Sequence, residues 1–505
     1  MTDRRWLAPV LLLAVTAAVC GAGCRGPASE VRVGSKKFTE SVVLGEIATQ
    51  VLRGAGTRAE HRAQLGGTQV LWHALLAREI DVYPEYTGTI REDILHGAAG
   101  GGSDASLREA LAAQGVGMSG GLGFDDSYAI GLKDKDAASA GVARLSDLSR
   151  LPALRLAFSE EFLNRHDGWP LVRERYGLPQ KNVRSMDHDL AYRALAAGEV
   201  DAIDLYTTDA EIPAYDLRVL EDDLQVFPRY RAVFLYRLDL PERSASALRS
   251  LAVLEGRLSA RDMQRLNGRA KLDHVPEPVV AADFLAAAFG MDEGAAREGR
   301  AQRVGRRVAE HLALVAASLI AAIVVAIPLG IAAARRRRLG AFLLGTAGVV
   351  QTIPSLALLV LLIPLFGIGT LPAVAALFLY SVLPIVRNTV TGLHGIPVGL
   401  LESADVLGLS PWARLAKIEL PLASPSILAG IQTSAIINVG TATLGALIGA
   451  GGLGQPILTG IRLDDLGLIL EGAIPAAALA LLAQGLFAVL ARWIVPRGLR
   501  LRSDA

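Results

Sequence analysis

Glu402–Pro421 reads ESADVLGLSPWARLAKIELP, and its setting decides the fold of the C-terminal half. The segment is polar and rich in helix formers, yet it lies between long runs that carry no charge. Leu312–Ala334, Ala341–Thr370 and Leu422–Ile461 each exceed the length of about 20 residues that a helix needs to cross a bilayer. Leu371–Val386 and Gly472–Ala491 are shorter, but adequate if flanking residues snorkel to the interface. Leu422–Ile461 is too long for one span, and its tail Gly449-Ala-Gly-Gly-Leu-Gly454 reads as a break. Residues 310–495 are therefore expected to form an all-α polytopic membrane domain of about five helices, with 402–421 as one of its loops.

The other half is of a different kind. The chain has 505 residues, room for two or three domains, and residues 30–290 are charged and mixed like a soluble domain. Met1–Cys24 carries Arg4 and Arg5 and then runs apolar from Trp6 to Val19, the layout of a signal peptide or an uncleaved membrane anchor. Both cysteines, Cys20 and Cys24, sit there, so neither disulfides nor thiol chemistry support the rest. Gly21-Ala22-Gly23-Cys24 loosely matches a lipidation site, with Gly21 where Leu is usual. A formal charge of +1 gives no reason to expect nucleic acid, and the sequence holds no zinc-ligand cluster; no metal or cofactor is expected.

Export of residues 30–309 fixes the topology. The first span then runs inward and stops at Arg335-Arg-Arg-Arg338, as the positive-inside rule requires. Alternation places Arg387, Arg414 and Lys417 in the cytoplasm with the 402–421 loop, and Arg492, Arg497, Arg500 and Arg502 there after the fifth span. Arg297, Arg300, Arg303, Arg306 and Arg307 fall on the other side, and residues 291–309 read as a linker and amphipathic approach helix on the membrane surface. Gln351-Thr-Ile-Pro-Ser355, Pro364, Pro384 and Pro475 interrupt simple helices or kink them for packing. Glu471 is an acid at the edge of an apolar run, read as lying near the outer surface, with a pore role as the lesser alternative.

Within the loop, Glu402-Ser403-Ala404, Gly408, Ile418, Leu420 and Pro421 have a spacing that resembles the EAA loop of binding-protein-dependent ABC import permeases. In that family the loop is the cytoplasmic helix pair that docks on the ATPase subunit. The resemblance assigns ATPase coupling to Glu402, Ala404, Gly408, Leu420 and Pro421. The runs QTIPSLALLVLLIPLFGIGTLPAVAALFLYSVLPIVRNTVTGL and GTATLGALIGAGGLG further resemble permeases of osmoprotectant (quaternary amine) importers. That likeness implies a homodimer with the path between its subunits, held in a bacterial inner membrane among its lipids. It also implies a dimer of cytosolic ATPases on separate chains, since no G-x4-G-K-[ST] phosphate loop occurs here.

Residues 30–290 read as alternating strands and helices. Val31–Gly34, Ala63-Gln-Leu-Gly66, Asp81-Val-Tyr83, Leu154–Phe158 and Val200–Asp204 look like strands, and a helix is expected from about Thr39 to Leu52. The alternation argues an α/β architecture with ligands at the carboxyl ends of the strands. Attached to a permease, such a domain is expected to be a two-lobed, periplasmic-binding-protein-like unit of type II. The chain has only ten tyrosines, and several sit where strands end. The faces of Tyr rings attract a cation that has no N–H to donate. Each Tyr alone is more simply explained as core packing.

Gly34-Ser-Lys-Lys-Phe-Thr-Glu40, Leu65-Gly-Gly-Thr-Gln69, Glu79–Thr89 and Leu205-Tyr-Thr-Thr-Asp209 resemble glycine-betaine/choline-type binding proteins. The resemblance implies an ammonium box of Tyr86, Tyr128, Tyr206 and Tyr230, and a carboxylate clamp of Lys36, Thr89 and Arg165. A cation box alone accepts any quaternary amine, whereas Lys and Arg at its far end favour a zwitterion. Asp126 either faces the ammonium or supports the cleft wall. The implied function is binding and import of quaternary ammonium solutes such as glycine betaine, with choline or a larger betaine such as ergothioneine as alternatives. A ligand-gated sensor on a permease scaffold is a weaker reading, and an enzyme the weakest, because His166 and His188 stand beside no recognisable nucleophile.

Overall fold

The computed structural model describes residues 30–96, 103–291, 299–463 and 465–496, so the N-terminal segment with Cys20 and Cys24, and Arg297, Arg497, Arg500 and Arg502, lie outside the described residues. The chain divides into two compact units.

The first unit holds two five-stranded sheets. One has the order β2-β1-β3-β10-β4, from Val31–Gly34 (β1), Ala59–Arg62 (β2), Val82–Tyr86 (β3), Val116–Met118 (β4) and Ala232–Arg237 (β10). The other has the order β7-β6-β8-β5-β9, from Tyr128–Lys133 (β5), Leu156–Phe158 (β6), Val183–Ser185 (β7), Ala202–Tyr206 (β8) and Leu217–Val219 (β9). β1, β2 and β3 run parallel, as do β6, β7 and β8, while β10 and β5 run against their neighbours. The chain thus crosses between the lobes twice, after β4 and after β9. The two crossings lie side by side, with Asp125 bridged to Arg231 and the Asp126 N–H donating to the Tyr230 carbonyl at 3.0 Å.

Each lobe is pinned by the same device. The Arg32 backbone and guanidinium bind Asp81 at 2.8–3.1 Å, and Arg155 binds Asp201 in the same three-point way at 2.6–3.0 Å. Asp81 and Asp201 stand at matching places in Glu79-Ile-Asp-Val-Tyr-Pro-Glu-Tyr-Thr and Glu199-Val-Asp-Ala-Ile-Asp-Leu-Tyr-Thr. This internal repeat puts Tyr86 and Tyr206 at equivalent strand ends of the two lobes. Helix Thr39–Gly54 starts where the sequence placed it and is buried over nearly its whole length. One expected strand is displaced: Ala63–Gly66 is a loop and β2 precedes it, because Gln64 and Gly66 have φ of 62° and 139°, outside any strand conformation.

The second unit is helical. Among the described residues, four helices are long and apolar enough to cross a membrane: Arg300–Arg335, Thr370–His394, Pro411–Ile448 and Leu466–Ile494. Arg337–Thr352 and Ser355–Phe366, bent by 102° at their junction, make a fifth if taken as one span. Pro354 marks that junction, while Pro384 and Pro475 ride inside continuous helices. The bend is braced from helix Thr370–His394: Gln351 Nε2 donates to the Tyr380 carbonyl at 3.0 Å, and the Tyr380 hydroxyl to the Ile353 carbonyl. The arginine-rich approach and the first span are one helix, since nothing between Arg300 and Arg335 ends it. Glu471, almost fully buried, binds Arg300 at 3.0 Å and Arg303 at 3.2 Å. Ile320, Val324, Leu481 and Leu482 turn outward, as residues facing lipid do.

Candidate functional site

The carboxyl ends of β3 and β8 and the paired crossings bring all four sequence-predicted tyrosines into one aromatic cluster. Tyr86 closes β3, Tyr206 closes β8, Tyr128 opens β5, and Tyr230 ends the return crossing. Ring centroids are 5.1 Å apart for Tyr128 and Tyr206, and 5.6 Å for Tyr128 and Tyr230, whose planes meet at 88°. Phe38 joins Tyr86 at 6.2 Å to Tyr206 at 6.0 Å, linking the two lobes. Phe162 and Phe227 back Tyr128 at 5.1 and 6.4 Å. Phe38, Phe162 and Phe227 were not singled out in the sequence, although Phe38 lies in the Gly34–Glu40 motif.

Tyr86, Tyr206 and Tyr230 are held from behind. The Tyr86 hydroxyl donates to Glu40 at 2.7 Å and the Tyr230 hydroxyl to Asp167 at 2.5 Å. The Tyr206 N–H donates to Asp209 at 2.8 Å, and His188, 4.8 Å behind the ring, binds Asp209 through Nε2 at 3.0 Å. Burial would lower the His188 pKa, but Asp209 and Asp204 outweigh it and hold it at about 9, so the imidazole is charged at neutral pH. Gly88 makes room for Tyr230: a Cβ there would lie 2.5 Å from two ring carbons. Gly88→Ala is therefore expected to displace that wall and weaken ligand binding by about five- to a hundredfold, on the overpacking scale of about 1–3 kcal/mol. Calorimetry checks it; unchanged affinity would remove Tyr230 from the box.

The three residues assigned to a carboxylate flank the same cluster. The Lys36 ammonium lies 5.8 Å from the Tyr86 ring centre, and the Arg165 guanidinium 5.9 Å from that of Tyr128. Thr89 is buried in the short helix that follows Tyr86. Both cations already have acidic partners. Lys36 Nζ donates to Glu85 at 2.6 Å and Thr68 at 2.9 Å. Arg165 grips Asp167 at 2.8 and 2.6 Å, and its Nη1 lies 3.5 Å from Asp93. Burial opposes ionisation of Asp167, yet Arg165 and the Tyr230 hydroxyl hold its pKa below the ordinary range. Burial keeps that of Glu85 above its ordinary value despite Lys36. Asp126 takes the supporting option: it accepts from the Thr208 hydroxyl at 2.6 Å.

Glu402–Pro421, the segment expected to couple to an ATPase, joins helix Thr370–His394 to helix Leu420–Thr441. Helix Val398–Val406 buries Ala404 and leaves Glu402 exposed; Gly408 turns the chain with φ of 72°, and Ser410 caps the next turn, Pro411–Arg414. Leu420 and Pro421 then open helix Leu420–Thr441. Arg414 ties the pair together through Asp405 at 2.6 and 2.8 Å and Glu419 at 2.9 Å, and Arg335 anchors Glu419 at 2.5 Å. Val406, Leu407 and Trp412 are left 88%, 77% and 80% exposed. The sequence reading passed over these three, whose apolar character in a polar loop was the available signal.

Comparison with known proteins agrees with both units. Residues 29–287 match the family described as the substrate binding domain of ABC-type glycine betaine transport systems. Residues 326–499 match the binding-protein-dependent transport system inner membrane component. The chain is 44% identical over 194 residues to the glycine betaine/carnitine/choline transport system permease protein OpuCB of Bacillus subtilis, covering 38% of this chain and 89% of that protein. It is 44% identical over 196 residues to the osmoprotectant import permease protein OsmW of Salmonella typhimurium, covering 38% and 91%. A solved glycine betaine/carnitine/choline ABC transporter structure aligns with 52% of this chain and 100% of its own, at 26% identity and a TM-score of 0.46. The chain therefore belongs to the glycine-betaine-type substrate-binding family and, through its helical half, to the ABC inner-membrane permease family: a receptor and a membrane subunit in one multi-pass polypeptide, with the binding unit on the extracytoplasmic side.

Proposed function

We propose that this chain captures quaternary ammonium solutes of the glycine betaine, carnitine and choline class and passes them inward through its own membrane half. The observation that carries this reading is the convergence of Tyr86, Tyr128, Tyr206 and Tyr230 from both lobes and from the crossing between them. An N-methylated cation offers nothing to a hydrogen-bond acceptor, but each ring face attracts it by about 0.5–2 kcal/mol, more as water is excluded. Closure of two lobes over such a ligand supplies that exclusion.

A zwitterion is favoured over a plain cation only if the flanking bases have donors to spare. Lys36 has three N–H groups and uses two, on Glu85 and Thr68. Arg165 commits Nε and Nη2 to Asp167, and its Nη1, 3.5 Å from Asp93, holds its ion pair more loosely, so that side is proposed to meet a ligand carboxylate. Thr89 completes the proposed clamp. Arg165→Ala is expected to cost betaines on the order of 1.5–3 kcal/mol more than choline, the range for a charged hydrogen bond. Calorimetry with glycine betaine and choline checks this, and equal losses for both would remove the clamp.

For the transport step, a dimer of cytosolic ATPases is proposed to engage Glu402–Pro421 on two copies of this chain, with membrane lipid around them. The exposed Val406, Leu407 and Trp412 give that loop the apolar anchor a docked helix needs. Because the receptor is tethered, its effective concentration at the membrane is high whatever the dilution outside. Proteoliposomes holding this chain and its ATPase are therefore expected to accumulate ligand with no soluble binding protein added. A strict requirement for one would contradict the proposal.

A further inference from the structure

Behind Tyr86 lies a group of buried acids that the ammonium box does not itself require. Glu40, in the first turn of helix Thr39–Gly54, accepts from the Tyr86 hydroxyl through Oε1, and from Asn267 Nδ2 at 3.0 Å through Oε2. The hydroxyl oxygen of Thr208, on the other lobe, lies 2.5 Å from Glu40 Oε2 and 2.6 Å from Asp126 Oδ1. The Thr208 N–H points to the same Asp126 oxygen at 3.3 Å. Glu40, Asp126 and Thr208 are 3%, 6% and 1% exposed.

A hydroxyl has one hydrogen to donate. Two carboxylate oxygens at 2.5 and 2.6 Å from it cannot both be served by that hydrogen, and the second contact needs a proton of its own. One of the two carboxyls is therefore a neutral acid in this arrangement. The surroundings agree. Burial pushes both carboxyls above their ordinary range, and Glu40 adds to the effect on Asp126. Asp209, the next acid, repels them further, while His188 and Lys271 direct their charge to Asp209. On the far side of Tyr86, Lys36 is held by Glu85.

We propose that Glu40 is a positioning residue of the ammonium site that acts only with a shared proton, so that closure of the lobes over a ligand takes up one proton into the Glu40–Thr208–Asp126 chain. The proton comes from solvent and completes an O–H···O bond that ties the Tyr86 wall of one lobe to Thr208 of the other. With the lobes apart, both carboxyls meet water and ionise in their usual range, near 4. Above that range closing must take up a proton, so affinity falls as pH rises, by up to about tenfold per pH unit, and levels off above the closed cluster's own pKa.

The inference rests on the ammonium-site reading, and one experiment separates the two. The full chain in lipid nanodiscs is titrated with glycine betaine and with choline from about pH 6 to 8, in buffers of different ionisation enthalpy. The expected result is uptake approaching one proton and an affinity that falls with pH. Glu40→Gln and Asp126→Asn, which keep a neutral partner for Thr208, are expected to bind with little or no proton uptake and a flat pH profile. Wild-type binding with no buffer-dependent heat, or variants that bind more weakly with the wild-type slope, would overturn this proposal alone. No binding of either ligand by the wild type would overturn the ammonium site and this proposal together.

Discussion

Tyr206→Ala is expected to weaken every quaternary ammonium ligand by between about ten- and a thousandfold, whether or not the ligand carries a carboxylate. The ring lies within 5.1 Å of Tyr128, 6.0 Å of Phe38 and 4.8 Å of His188, so it is both a wall and the keystone of its neighbours. Its loss removes a cation–π contact of about 0.5–2 kcal/mol. It also leaves a cavity beside Tyr128 and Phe38, which disturbs both walls; truncating a fully buried aromatic costs about 3–5 kcal/mol of stability, and the half-buried Tyr206 less. Tyr206→Phe keeps the ring face and is expected to retain most of the affinity. Calorimetry on both variants checks the account, since equal losses would mean that the hydroxyl, and not the face, holds the ligand.

The second large effect concerns transport with binding left intact. Trp412→Asp is expected to abolish ATP-driven uptake while leaving ligand affinity unchanged. An 80% exposed Trp at the head of a short capped helix is the geometry of a partner's anchor. Loss of such an anchor costs upward of about 2 kcal/mol of association, and a charge in its place opposes burial altogether. The frame that presents it, Arg414 on Asp405 and Glu419 with Arg335 behind, does not involve the Trp side chain and is expected to survive. Ligand-stimulated ATP hydrolysis in proteoliposomes reads the outcome. Full stimulation in the variant would move the coupling contact elsewhere on the loop.

Much of this was legible in the residues, for reasons that can be named. Strand β1 and the start of helix Thr39–Gly54 follow from a short apolar run closed by Gly34 and a polar turn. The charge-free runs and the arginines that stop them mark the membrane helices. The tyrosines at strand ends were visible, and so, in the spacing Glu-[Ile/Val]-Asp-x4-Tyr-Thr, was the internal repeat that makes Tyr86 and Tyr206 equivalent. What the sequence hides is long-range. Glu40 meets Thr208, and Lys36 meets Glu85, only after the lobes are assembled. The displaced β2 turned on the left-handed backbone of Gln64, which no side-chain pattern announces. Proline bends are ambiguous for the same reason: Pro354 stands just before helix Ser355–Phe366 and starts it, its carbonyl accepting from the Leu358 N–H at 2.9 Å, whereas Pro384 sits inside an unbroken helix, its carbonyl accepting from Asn388 Nδ2 at 2.8 Å.

The proposed carboxylate clamp is the part of the site where charge counting matters most. Lys36 and Arg165 arrive already paired with Glu85, Asp167 and Asp93, so a betaine carboxylate gains only their remaining donors. On the proposed reading, the margin between a zwitterion and a plain cation rests on a small number of hydrogen bonds, and the box itself on aromatic faces.

The central claim, a quaternary-ammonium receptor built into its own permease, is met most directly by calorimetric titration of the full chain in nanodiscs with glycine betaine, carnitine and choline. Saturable binding of one or more of these at a single site per chain, lost in Tyr206→Ala, is the predicted result. Absence of binding by all three, or binding that persists unchanged in that variant, would contradict it.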